Sequence, residues 1–251
     1  MHPSLRASAP FAIILLAGGA CTRPEEGQES PPAAITSPQS ALRELQLGNA
    51  RFVRSMRTRS ADTAQDIPER RKLREGQHPI VAMLSCADSR VAPEYIFDQR
   101  PGSIFEVRNA GNVVDEDVLA SLEYAIEHLH APLVAVLGHK SCGAVRAVCE
   151  AGERTLPEHL HVLQDHMKAV REKALASGQL PNTALIDRLC AENSGQQAKM
   201  ILQECKLLRE AIEAGRSMLI YGTYDMESGA VRWTTLPNAS GGVESRSESP
   251  R

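Results

Sequence analysis

Short apolar runs, many of them β-branched, alternate along this chain with segments whose apolar positions recur at helical spacing. Residues 79–84, 104–107 and 133–137 are continuously apolar or nearly so. Such runs suit strands of a parallel sheet covered on both faces. Between the last two, Val118, Leu119, Leu122, Ala125, Ile126 and Leu129 follow a helical period behind acidic Asp115, Glu116 and Asp117. Acidic residues in a first turn favour the positive end of a helix dipole. Upstream, Ser37-Pro38 reads as a cap and first helical residue, with Leu42, Leu45, Phe52, Val53 and Met56 marking one face. Downstream, 157–176 reads as one helix, and Ala198, Ile201, Leu202, Cys205, Leu208 and Ile212 stripe a further one that Gly215 ends. Residues 218–221 supply a fourth strand. Residues 231–236 supply a fifth, antiparallel one after a Ser228-Gly229 turn. Strand and helix in this alternation predict an α/β fold: a mostly parallel sheet of four or five strands flanked by helices, in one domain over residues 37–236.

The two ends follow a different pattern. Arg6 precedes an apolar run over 11–17 that finishes in Gly18-Gly19-Ala20-Cys21. A basic start, a short apolar stretch and small residues describe a secretory signal over 1–21, too short for a permanent span. Small residues before a cysteine also resemble a bacterial lipoprotein signal, in which Cys21 is lipidated; Gly18 stands where that pattern usually has leucine. The expectation is an exported protein of the periplasm or cell envelope with a possible lipid anchor at Cys21. Residues 22–36, rich in Pro, Glu, Gln, Ser and Ala, read as a flexible tether, and 237–251 as a disordered tail.

Composition narrows the function classes. A net charge of -3 and 4% aromatic residues give neither the basic surface nor the stacking side chains that nucleic-acid binding requires. Of six cysteines, Cys21 has its own explanation, and the remaining five are odd in number and widely spread. That is not a disulfide framework, so some thiols need another use.

Two strand ends carry candidate chemistry: Ser85-Cys86-Ala87-Asp88-Ser89-Arg90 and Gly138-His139-Lys140-Ser141-Cys142-Gly143. Both fall at the edge where open α/β sheets place ligands. Alone, His139-x-x-Cys142 reads as a loop histidine beside a buried thiol. Joined with Cys86, it forms a Cys₂His set that suits zinc and leaves a fourth position for water or substrate.

The Cys-x-Asp-x-Arg segment followed by His-x-x-Cys resembles the signature of β-class carbonic anhydrases. Gly48-Asn49-Ala50-Arg51-Phe52, Pro101-Gly102, Arg108-Asn109-Ala110-Gly111-Asn112 and Glu123-Tyr124-Ala125 resemble other segments of that family. The resemblance is close over about 41–150 and general in layout beyond. It implies that Cys86, His139 and Cys142 bind one zinc ion per subunit, and that metal-activated hydroxide attacks carbon dioxide to give bicarbonate and a proton. It implies that Arg90 grips Asp88, which orients the hydroxide, and that Asp88 without this grip is a possible fourth ligand in a closed state. It also implies substrate-binding roles for Gln77, Phe105, Tyr124 and the backbone of Gly143, in a homodimer or higher even oligomer whose pockets draw on both chains. Members inhibited by a second bicarbonate carry tryptophan three residues before the first ligand, with an arginine and a tyrosine elsewhere. Here Arg108 and Tyr124 match the latter pair but Met83 stands in the first place, so the non-bicarbonate-regulated type is expected. Two rivals keep the fold: hydrolysis of carbon disulfide or carbonyl sulfide at the same metal, and noncatalytic zinc holding.

Among the remaining candidates, His159, His161 and His166 do not share one helical face and read as solvated or partly packed. Cys205 lies on an apolar stripe and reads as core. Cys149 and Cys190 read either as core thiols or as a disulfide.

Overall fold

The computed structural model describes residues 35–58, 66–178 and 182–236. The expected signal over 1–21 with Cys21, most of the 22–36 tether and the 237–251 tail lie outside the described residues.

Five strands form one sheet in the order β2-β1-β3-β4-β5. They are β1 (Val81–Cys86), β2 (Ile104–Asn109), β3 (Leu133–His139), β4 (Met218–Tyr224) and β5 (Val231–Thr235). The first four in sequence pair in parallel, and β5 runs antiparallel to β4 at the edge. Strands β2, β3, β4 and β5 begin where the apolar pattern placed them, and β1 two residues later. Strands β1 to β4 run two residues or more further at the C-terminal end, β1 and β3 into the motif residues Cys86 and His139, while β5 ends one residue earlier than expected.

Alternation along each strand makes two cores. On one face Ala82, Leu84, Val134, Val136 and Leu219 pack under α4 (Glu116–Glu127), α8 (Thr183–Glu204) and α9 (Lys206–Glu213). On the other, Val81, Met83, Leu133, Ala135, Leu137 and Ile220 meet Ala41 and Leu45 of α1 (Pro38–Val53), Ile96 of α3 (Pro93–Ile96) and Phe97. Each fully buried aliphatic side chain contributes roughly 1.5–3 kcal/mol. Capping follows the sequence signals: Asp115 accepts the Val118 N–H at 2.8 Å and opens α4, while Ser37 and Ser40 form a reciprocal box at α1.

A third cluster lies beyond the C-terminal ends of the strands. It joins Cys86, Val113, Cys142 and Cys190 to side chains of α5 (Gly143–Ala151) and α7 (Lys168–Ala176). Helix α8 approaches this end of the sheet closely, because Gly138 has no side chain: a Cβ there would stand 2.0 Å from Ser194 Oγ.

Two expectations need correction. Residues 157–176 are not one helix but a 3₁₀ turn over Glu158–Leu160, α6 (His161–His166) and α7, broken at Met167. Met167 leaves helical geometry (ψ 26°) with its side chain buried against Gly111. The stripe from Ala198 to Ile212 spans two helices, since Cys205 is extended (ψ 97°) and its sulfur accepts the Leu208 N–H at 3.3 Å to cap α9. Apolar periodicity continues across both breaks, which is why it concealed them. The pattern also passed over α2 (Asp66–Leu73), α3 and α5. Cys149 and Cys190 are free, buried thiols, and Cys205 is fully buried as expected.

Candidate metal centre

Because β1 and β3 are neighbours and parallel, their last residues, Cys86 and His139, emerge at the same edge. The loop after β3 then reverses through Ser141 (φ 54°) and delivers Cys142 to the start of α5. Asp187 of α8 holds that reversal, accepting the Ser141 N–H at 2.8 Å.

The ligating atoms of Cys86, His139 and Cys142 all lie within 4.8 Å of one another, and all three residues are buried. Among the described residues no other group of this kind occurs, and His159, His161 and His166 form none. The sulfurs of Cys86 and Cys142 are 3.9 Å apart. Two sulfurs bound at 2.3 Å to a tetrahedral zinc ion would stand about 3.8 Å apart, so the spacing fits. The imidazole is poised in the same sense. His139 Nδ1 donates to the Lys140 carbonyl at 2.9 Å, which leaves Nε2 as the acceptor nitrogen. Nε2 is buried without a hydrogen-bond partner. A buried acceptor left unpaired costs roughly 1–3 kcal/mol, and a cation between it and the thiols removes that cost.

The thiols need a cation as well. The neighbouring Cys142 thiol and burial push Cys86 up to about 12. Cys142 is raised too, with the adjacent Cys190 thiol and burial as causes. A divalent metal bound between these thiols would favour their thiolate forms.

Asp88 stands beside the donor group. Arg90 grips it by Nε to Oδ1 (2.9 Å) and Nη2 to Oδ2 (2.8 Å), and the Arg90 N–H adds a third bond at 3.0 Å. This guanidinium holds the Asp88 carboxyl far below the usual carboxylate range. Oδ2 lies 3.8 Å from His139 Nε2, near the donor group but outside it. Arg90 itself is exposed and also reaches the Ser141 carbonyl at 3.4 Å.

Other sequence candidates fall elsewhere. Gly143 is exposed, with open space where a Cβ would be. Phe105 and Tyr124 meet each other, ring centroids 6.0 Å apart, and Tyr124 also contacts His128. Gln77 is exposed in the segment before β1. Within this chain no described hydrogen bond, ion pair or ring contact joins Gln77, Phe105 or Tyr124 to Cys86, His139 or Cys142. Arg108 clamps the first motif, donating to the carbonyls of Cys86, Asp88 and Val91. The tyrosine that shares a buried cluster with Met83 is Tyr224, not Tyr124.

Sequence reasoning passed over Asp187, Asn193 and Gln197. The signal was present: α8 carries Asn193, Ser194 and Gln197 where an apolar stripe should continue, and all three are fully buried.

The family model described as carbonic anhydrase matches residues 81–231. Carbonic anhydrase 2 of Mycobacterium tuberculosis is 36% identical over 195 residues, covering 77% of this chain and 91% of that protein. The carbonic anhydrase of Mycolicibacterium smegmatis is 34% identical, covering 78% and 93%. Among solved structures, the β-carbonic anhydrase CafA of Aspergillus fumigatus superposes with a TM-score of 0.62 at 30% identity, covering 70% of this chain and 85% of that one.

Proposed function

The chain belongs to the carbonic anhydrase family, in its β class, and from that premise we propose that Cys86, His139 and Cys142 hold one zinc ion per subunit for the reversible hydration of carbon dioxide to bicarbonate and a proton. The observation that carries the assignment is the buried, unpartnered His139 Nε2 set within ligating distance of two thiols. Zinc bound there supplies Lewis acidity, able to bring the pKa of water from about 15.7 to about 7.

The chain's own residues do the rest. Arg90 occupies both oxygens of Asp88 from one side, so the carboxylate keeps lone pairs free to accept a proton donor at the reacting centre. Arg108 fixes the backbone from which Asp88 projects. The backbone N–H of Gly143, an exposed residue at the start of α5, is a donor for charge that develops on the substrate's oxygen. If Arg90 lets go, Asp88 is free to turn onto the donor group and close it.

Gln77, Phe105 and Tyr124 are assigned to substrate binding in an assembled pocket. Their exposure or separation from the donor group within one chain supports a homodimer or higher even oligomer in which a second copy completes the site. With Met83 in its buried cluster, the non-bicarbonate-regulated type is proposed. The basic start, apolar run and small residues before Cys21 support export to the cell envelope, with Cys21 as lipid attachment point.

The test is zinc content together with carbon dioxide hydration. Cys142→Ser should lose the metal, whereas Asp88→Asn should keep it and lose activity. Full metal and full activity in both variants would remove the assigned site.

A further inference from the structure

Two thiolates give a metal more charge than imidazoles do, which weakens the Lewis acidity that the proposed reaction needs. Charge must therefore be drawn off the sulfurs by the protein. We propose that Asn193 and Gln197 of α8 are positioning residues that aim the Gly111 N–H at the Cys86 sulfur, and that this N–H···S hydrogen bond tunes the metal held there. The inference rests on the zinc assignment above.

The Gly111 N–H donates to Cys86 Sγ at 3.4 Å. Nothing in β2 itself would fix that peptide, because Gly111 lies past the strand's end in a left-handed conformation (φ 79°). It is held from two sides instead. A side chain there would strain the positive-φ backbone and push Met167 Cε, 2.7 Å from where a Cβ would stand, while Ala144 Cβ lies 3.3 Å away. On its carbonyl side Asn193 Nδ2 donates to Gly111 O at 2.8 Å.

Gln197, one helical turn further along, orients Asn193. Its Nε2 donates to Asn193 Oδ1 at 3.1 Å, so the Asn193 amide turns its own N–H toward Gly111. The same side chain accepts the Val114 N–H at 2.8 Å and donates to the His166 carbonyl at 3.2 Å. Asn109 closes the segment from within, bonding both the N–H and the carbonyl of Val113 at 2.8 Å. Two buried amides on a helix facing a core cost free energy unless every bond is made. Here they hold one short segment whose hydrogen bond to a ligand atom, among the described residues, is the Gly111 N–H to Cys86 Sγ. Donors to a ligand from outside the coordination sphere are a recognised lever on metal affinity and electronics.

The experiment uses the full protein with cobalt(II) replacing zinc. A sulfur-to-cobalt charge-transfer band in the wild type reports thiolate ligation; its absence would overturn the zinc-site assignment rather than this proposal. Given the band, Asn193→Leu and Gln197→Met should each bind one cobalt per chain, move the band to longer wavelength and weaken metal affinity about 10–100-fold. Ser194→Ala, on the same helix but with its hydroxyl donating to the Cys190 carbonyl rather than to the loop after β2, should leave the band in place. A wild-type band position in both amide variants would overturn the proposal. A measurement without variants guards against misfolding: in protein loaded with spin-active cadmium, scalar coupling should appear between the metal and the Gly111 amide proton. Coupling to the Cys86 β-protons without coupling to Gly111 would also overturn it.

Discussion

Two arginine–carboxylate pairs in this molecule have nearly the same chemistry and opposite surroundings. Arg51 of α1 reaches Asp98 at 2.6 Å and Glu44 at 3.1 Å, and the Asp98 side chain is 0% exposed. Arg90 reaches Asp88 at 2.8 Å, but Arg90 is 55% exposed and Asp88 16%. The Arg51 pair ties α1 to the turn that follows α3, and Asp98 also accepts the Thr58 N–H at 3.2 Å. The Arg90 pair spans two residues of one loop, and its longer reach is a single 3.4 Å bond from Arg90 to the Ser141 carbonyl. Burial thus separates a pair set inside the fold from a pair that stands open beside the candidate metal centre. In the open pair the carboxylate is aligned yet still reachable, 3.8 Å from an unpartnered imidazole nitrogen.

Breaking the buried pair should have the largest effect. Arg51→Met leaves the Asp98 carboxylate without its guanidinium, at a cost of about 3 kcal/mol. Thermal denaturation should show a melting temperature lower by roughly 6–12 °C, with zinc stoichiometry of the folded protein unchanged. A shift of under ~2 °C would mean that the pair does not hold this corner.

Asp88→Asn should do the reverse. Hydration turnover should fall about 100-fold, the scale of a misplaced reacting group, while metal content and melting temperature stay close to wild type. A thermal loss comparable to that of Arg51→Met would erase the distinction between the pairs.

Arg90→Lys keeps the charge but not the two-pronged grip. A loss near 10-fold in turnover is expected, about one charge-assisted hydrogen bond of ~1.5 kcal/mol. Smallest of all is the fully surface-borne pair Lys206–Glu210, 3.3 Å apart on α9. Glu210→Gln should change stability by less than about 0.5 kcal/mol, a baseline for the other three that the same melting experiment supplies.

Sequence made the two pairs unequally legible. Asp88 and Arg90 sit inside a motif whose spacing announces chemistry, whereas Arg51 and Asp98 lie far apart and nothing local links them. The strands were readable because runs such as 133–137 are apolar throughout, which a doubly covered parallel strand requires. The ligand set was readable because Cys86 and His139 end such strands. Helix α8 was legible only in part: polar Asn193 and Gln197 look solvent-facing until the sheet is folded and the loop after β2 lies under them. Met167 and Cys205 interrupt helices without interrupting the apolar period, so a period alone could not find them. For Gln77, Phe105 and Tyr124 the difficulty is different, since the proposed pocket, completed by another copy, would leave no trace in one chain's internal contacts.

The central claim is a zinc ion held by two sulfurs and one imidazole nitrogen. X-ray absorption at the zinc edge of the purified protein tests it directly. The account predicts two sulfur scatterers at about 2.3 Å and an imidazole nitrogen at about 2.0–2.1 Å, with one further light atom. A shell without sulfur, or one of four sulfurs, would contradict it.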